Sequence, residues 1–314
     1  MDPQVQAILD SMTQRAQAAG APPMWELPPA EARANAETNF QAFNDPMPAG
    51  VVIDDRKIPG PEGDIPVKVF TPSDDGPWPL LVYFHGGGWV IGSPATHAKL
   101  CAELAAGAGA VVVSVDYRLA PEHPAPAPLD DCVAAAKWAV ENAGELNATA
   151  GRWAIAGDSA GANLAAASCI RLRDEGGPLP VFQLLLYGVF QRDLETESMQ
   201  ANGEGMILER RTMEWFWEQY LSGGASAGDP LLSPVNASLE GVPPARLIVG
   251  TLDPLLDDSH RFAEALEKAG VPVVLSEYPD QPHLFLQLSE MLDAGKQGVA
   301  EAVMALRQAL RQPA

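Results

Sequence analysis

Cysteine is scarce in this chain: Cys101, Cys132 and Cys169 are three among 314 residues. A sparse, odd count set in helical stretches excludes a disulfide framework and a thiolate metal cluster, and buried, inert thiols are the expected state. Positive charge is scarce as well. Twenty Lys and Arg face 41 Asp and Glu, a formal net charge of −21. That surface repels phosphate backbones and anionic lipid, so neither nucleic acid nor a membrane surface is an expected partner. No run approaches the ~18 apolar residues of a membrane span. Met1-Asp2-Pro3-Gln4 lacks the basic start and apolar stretch of a secretory leader, which makes a cytoplasmic location the expectation. Internal repeats are missing, and alanine richness is the only compositional bias of note.

What the chain does have is apolar content, 47% hydrophobic over a length that suits one large α/β domain or two small ones. Val5, Ile8, Leu9 and Met12 recur at i, i+3, i+4, i+7 and mark an amphipathic N-terminal helix. A Pro- and Ala-rich segment follows, with a short helical stretch near Pro29–Phe43. Val51–Ile58 and Asp64–Phe70 flank Pro59-Gly60-Pro61-Glu62-Gly63, a hairpin signal. Six more strands are expected at Pro79–Phe84, Ala110–Val115, Trp153–Ala156, Val181–Tyr187, Ala245–Gly250 and Val273–Tyr278. Helical patterns separate them near Ala98–Ala106, Leu129–Asn142, Ala160–Asp174 and Leu255–Ala269, and a last helix runs near Ala294–Gln312. Alternation of this kind implies an eight-stranded, mostly parallel sheet with helices on both faces. The interval 191–234 breaks the rhythm. It carries Met213, Phe216, Trp217 and Tyr220 on one helical face, which packs on the body, covers a pocket mouth, or does both.

Gly157-Asp158-Ser159-Ala160-Gly161 reads G-x-S-x-G between an apolar strand and an Ala-rich helix. A sharp strand-to-helix turn of that kind exposes a serine hydroxyl above a sheet. The pattern alone arises in roughly one random chain in ten to twenty, so its weight depends on partners. A serine needs a general base and a group to orient that base. Histidine is also scarce, five residues in all. His283 follows the last strand and so lies at the carboxyl edge of the sheet, where ligands bind in open α/β sheets. His97 and His123 lie in polar connections and read as solvated or locally hydrogen-bonded; His260 reads as a surface residue on a helix. Asp253 follows the strand Ala245–Gly250 and precedes His283, in the chain order Ser…Asp…His. Its plainer role is to cap the helix that follows. His85-Gly86-Gly87-Gly88, directly after Pro79–Phe84, exposes backbone N–H groups suited to a developing oxyanion. The expected donors are Gly86, Gly87 and Ala160.

His85–Gly88, Asp116-Tyr117-Arg118-Leu119-Ala120-Pro121-Glu122-His123-Pro124, Gly157–Gly161 and Asp253-Pro254-Leu255 together resemble the bacterial hormone-sensitive-lipase-like esterases, which are α/β-hydrolases. Leu232-Ser233-Pro234 and Val242-Pro243-Pro244 fit as well, so the resemblance spans about residues 50–290. It implies a hydrolase body at 49–314 and a helical cap from 1–48 and an insertion at about 191–234. It implies a serine carboxylesterase for short- to medium-chain acyl esters, with Ser159, Asp253 and His283 catalytic and no metal or cofactor required. Gly88, Trp89, Asp158, Tyr187 and Leu284 are the expected pocket residues. Arg118 and Glu122 are expected in local ion pairs, and a homodimer is a common assembly of such enzymes. Leu284 departs from the family, which usually has glycine directly after the catalytic histidine. Amidase, lactonase and thioesterase chemistry use the same triad and stay open, as does a binding protein that has lost catalysis.

Overall fold

A computed structural model describes residues 1–20 and 22–311. Its strands are β1 (Val51–Gly60), β2 (Gly63–Pro72), β3 (Trp78–Phe84), β4 (Val111–Val115), β5 (Ala148–Asp158), β6 (Phe182–Leu186), β7 (Ala245–Gly250) and β8 (Val273–Tyr278). The helices are α1 (Pro3–Ala19), α2 (Pro29–Gln41), α3 (Ala98–Ala108), α4 (Ala127–Glu141), α5 (Ala160–Asp174), α6 (Glu197–Asn202), α7 (Arg210–Tyr220), α8 (Leu256–Lys268) and α9 (Asp293–Arg311). The eight strands form one sheet in the order β1-β2-β4-β3-β5-β6-β7-β8. β2 runs antiparallel to both β1 and β4; β4, β3, β5, β6, β7 and β8 are parallel.

Side chains alternate across this sheet with period two, which divides the interior into two cores. Leu80, Val82 and Phe84 of β3 and Ile155 of β5 join α4 and α5 on one face. Leu81 and Tyr83, with Ala154 and Ala156, join α1, α3 and α9 on the other. Strands covered on both faces read as unbroken apolar runs, which is why β3 to β6 stand out in the sequence. β1 is different. Asp54, Asp55, Arg56 and Lys57 make it a charged outer strand, a composition that discourages further pairing at an edge.

Most expected elements are present, with ends moved by one to three residues. β5 starts five residues earlier than Trp153, because Ala148 and Thr149 pair with Trp78 and Pro79 before the register shifts. The short helix α6 gave no periodic signal, having only six residues. The final helix was expected to reach Gln312, which lies outside the described residues. The aromatic face of α7 is buried. Trp89 stacks on Tyr220, with ring centroids 4.2 Å apart and planes 5° from parallel, and sits 4.6 Å from Trp217. Among the described residues no helix is long and apolar enough to cross a membrane.

Parallel strands end on the same side of the sheet. The loops after β3, β5, β7 and β8, which carry His85–Gly88, Ser159, Asp253 and His283, therefore meet at one edge.

Candidate active site

The turn from β5 into α5 is as tight as backbone contact allows. Ser159 takes φ 53° and ψ −120°, a conformation a non-glycine residue holds only where its surroundings impose it. A Cβ on Gly161 would lie 1.9 Å from the Phe84 carbonyl oxygen, so only glycine lets α5 approach the end of β3.

The hydroxyl so presented has a partner. Ser159 Oγ lies 3.0 Å from His283 Nε2, and His283 Nδ1 lies 2.7 Å from Asp253 Oδ2. A carboxylate only accepts, so Nδ1 carries the hydrogen in that contact and Nε2 is left to accept from the serine. The other oxygen of Asp253, Oδ1, accepts from the Leu255 N–H at 2.8 Å. That bond closes a local turn two residues long rather than capping α8, whose N-cap residue is Leu255, and it leaves Oδ2 free to orient the imidazole. All three residues are buried or nearly so. Tyr187 packs edge-on against the His283 ring, with centroids 4.9 Å apart.

The glycine loop is pinned from below. His85 Nδ1 donates to the Gly86 carbonyl at 2.8 Å, and its ring stacks on Tyr117 at 4.3 Å. Burial pushes the His85 imidazole down to about pH 3, so it stays neutral and keeps that geometry over the working pH range. Trp89, at φ 62°, turns the chain away behind Gly88. Phe216 of α7 fills the space where a Gly88 Cβ would lie, 2.1 Å from its ring carbon. Among the described residues, no hydrogen bond occupies the N–H of Gly87, Gly88 or Ala160.

These groups open onto a cavity of about 740 Å³ whose wall includes Gly86, Gly87, Gly88, Ser159, His283 and Leu284. α1, α2 and the 191–234 segment close its far side through residues such as Met12, Phe40, Leu208 and Phe216. Arg33 of α2 holds this cover to the body. It donates to the Val90 carbonyl at 2.9 Å and the Ala120 carbonyl at 3.1 Å, and pairs with Glu122 at 2.8 Å.

A family model described as the α/β hydrolase fold matches residues 81–287, a span that includes the glycine loop and the whole triad. The chain belongs to the α/β hydrolase fold family. Within it, this hydrolase falls with the hormone-sensitive-lipase-like esterases. It is 43% identical over 279 residues to the carboxylic ester hydrolase LipN of Mycobacterium tuberculosis, covering 86% of this chain and 74% of that one. It is 34% identical to an ethyl acetate hydrolase of Pseudomonas putida over 99% of both chains. The crystal structure of a thermostable esterase from Pseudomonas putida superposes with a TM-score of 0.94 at 32% identity, covering 99% of this chain and 98% of that one.

The hydrolase site departs from the sequence reading at several residues. Gly86 was expected to be an oxyanion donor, but its N–H is taken by Asp158 Oδ1 at 2.8 Å. Gly88, expected only as a pocket residue, carries the free N–H instead. Asp158 was expected to line the pocket, yet it is fully buried behind the wall, because Tyr83 and Gly86 draw its carboxylate inward. Trp89 and Tyr187 are also behind the wall, one stacked under α7 and the other against His283; Gly88 and Leu284 are on it. His97 is the residue sequence reasoning missed. Its Nδ1 lies beside Thr96, but Nε2 reaches Asp158, 61 residues away, at 3.2 Å. No periodicity or spacing signals that contact; only the return of the loop after β3 makes it. His260 is a surface residue, paired with Glu277 at 3.0 Å. Arg118 and Glu122 are in ion pairs, with Asp131 and Arg33 respectively.

Proposed function

We propose that this serine carboxylesterase hydrolyses short- to medium-chain acyl esters through an acyl-enzyme on Ser159. One observation carries the reading: the buried relay Ser159–His283–Asp253 opens onto the same cavity as Gly87 and Gly88, whose N–H groups have no hydrogen-bond partner among the described residues. His283 takes the hydroxyl proton as Ser159 Oγ attacks the ester carbonyl, and Asp253 stabilises the imidazolium that forms. The N–H groups of Gly87, Gly88 and Ala160 receive the oxyanion. His283 then gives its proton to the departing alcohol. Water, deprotonated by the same imidazole, attacks the acyl-enzyme and frees the acid. The segments 1–48 and 191–234 act as the cap, a reading supported by their share of the cavity wall. Preference for short acyl chains is supported by the full-length similarity to an ethyl acetate hydrolase. A homodimer is proposed on the family resemblance alone, and light scattering reads the assembly mass.

Ser159→Ala is expected to lower turnover of a short chromogenic ester by roughly 10⁴-fold or more while leaving circular dichroism unchanged. Retained turnover in that variant would refute Ser159 as nucleophile. A panel of acyl lengths, with amide, lactone and thioester analogues, measures the substrate class.

A further inference from the structure

Asp158 precedes the nucleophile in the chain, and four separate parts of the fold converge on its buried carboxylate. Tyr83 of β3 donates its hydroxyl to Oδ1 at 2.7 Å, and Gly86 of the glycine loop donates its N–H to the same oxygen at 2.8 Å. His97, at the start of α3, lies 3.2 Å from Oδ2. Gln287, four residues past the catalytic histidine, donates Nε2 to Oδ2 at 3.3 Å. Burial holds the Tyr83 hydroxyl far above its ordinary range, so it stays a donor. Burial also opposes the charge on Asp158, but His97 and these hydrogen bonds outweigh it and hold the carboxyl below its usual range.

The hydrogens follow from what each group can do. A carboxylate only accepts, so Nε2 of His97 carries a hydrogen in its contact with Asp158. Nδ1 of His97 lies 2.8 Å from the Thr96 hydroxyl and 3.3 Å from the Ser93 carbonyl, to which that hydroxyl donates at 2.8 Å. Gly86 N is also 3.3 Å from His97 Nε2, but a nitrogen that already carries hydrogen does not accept, so the Gly86 N–H belongs to Asp158.

We infer that Asp158 and His97 are positioning residues for the oxyanion hole, resting on the reading of Ser159 and its N–H donors given above. Asp158 shares a peptide bond with Ser159 and grips the Gly86 peptide. It therefore fixes the aim of the next two N–H groups relative to the attacking oxygen. His97 acts through Asp158: it holds the second carboxylate oxygen, so that the first stays on Gly86. The same carboxylate reaches the histidine loop through Gln287, and thereby ties nucleophile, donors and base to one point.

The test uses the full-length enzyme, a short chromogenic ester and an alkyl trifluoromethyl ketone. In the ketone adduct Ser159 Oγ bonds to the carbonyl carbon, its proton passes to His283, and the carbonyl electron pair moves onto an oxygen held in the hole. His97→Phe keeps a ring and removes the donor; His97→Gln restores an N–H. Loss of one oxyanion donor costs about 10²–10³ in turnover, and a misaimed pair costs less. His97→Phe is expected to lower kcat about 10- to 100-fold with KM within about threefold. Ketone affinity should fall by the same factor as kcat/KM, and His97→Gln should recover most of both. Asp158→Asn should repeat the pattern, and decides the matter with His97→Gln if the phenylalanine variant does not fold. Full activity in His97→Phe would overturn the inference. So would a rise in KM alone, the mark of a substrate contact, or a fall in kcat with ketone affinity unchanged. The parent enzyme separates this from the underlying reading: if it neither turns over the ester nor binds the ketone, the site assignment itself fails.

Discussion

Leu284 invites the sharpest perturbation, because it stands in a conformation that favours glycine. Its φ is 66°, in the left-handed region, directly after His283. For a residue with a Cβ that region costs roughly 1–2 kcal/mol. Leucine offsets the strain by packing, half-buried, against the core that includes Tyr187 and Phe285. Half of a leucine's full burial contributes about 1 kcal/mol. Leu284→Gly removes both terms and adds about 0.5–1 kcal/mol of backbone entropy cost, so its stability should stay within about 1 kcal/mol of the parent. Leu284→Ala loses the packing and keeps the strain. At ordinary sites alanine is more stable than glycine by about 0.5–1 kcal/mol; at position 284 the order should invert by a similar amount. Urea unfolding of the two variants side by side reads the sign. An alanine variant as stable as, or more stable than, the glycine variant would refute the strain argument. Activity provides a second reading. Leu284 is on the cavity wall, and a pocket methylene is worth about 1–3 kcal/mol in discrimination. Leu284→Gly should therefore raise kcat/KM for branched relative to linear acyl esters, by about tenfold.

Two further outcomes follow from buried atoms. Asp258 accepts the Phe190 and Gln191 N–H groups through Oδ1, and burial outweighs those bonds to push its carboxyl up to about 8. Its folded value exceeds the unfolded value of about 3.9, so the folded state holds the proton between these limits and stability falls as pH rises through them. The slope is about 1.4 kcal/mol per pH unit. Asp258→Asn keeps the acceptor and removes that slope, so from pH 5 to 7 it should gain about 3 kcal/mol on the parent in urea unfolding; parallel curves would contradict the burial argument. Gly161→Ala, whose Cβ would meet a backbone oxygen at 1.9 Å, should cost more than about 3 kcal/mol or prevent folding. Gly144→Ala, with open space around it, is the control and should unfold with the parent.

The strands were legible because burial on both faces leaves an apolar run bounded by turn residues, and the helices because one face keeps a 3.6-residue period. α6 was not, since six residues hold too little periodicity to register. The triad could be read because each member follows a strand end, and in a parallel sheet all those ends share one edge. Gly86, Asp158 and His97 show where such reading stops. Three successive glycines look alike in sequence, and which N–H remains free depends on a carboxylate 72 residues away.

The sequence by itself determined the chain's chemistry: a serine in a strand-to-helix turn, a base and an acid at later strand ends, and a glycine loop, on a sheet whose alternation of elements allows few topologies. The tertiary structure alone decided which groups are free to act. Hydrogen bonds and close contacts between residues far apart in the chain leave the N–H groups of Gly87 and Gly88 without a partner at the cavity wall, turn Asp158 away from it, and hold Leu284 at a left-handed φ. Those choices depend on distances of a few tenths of an ångström between elements, and a linear pattern of residue types does not encode them locally.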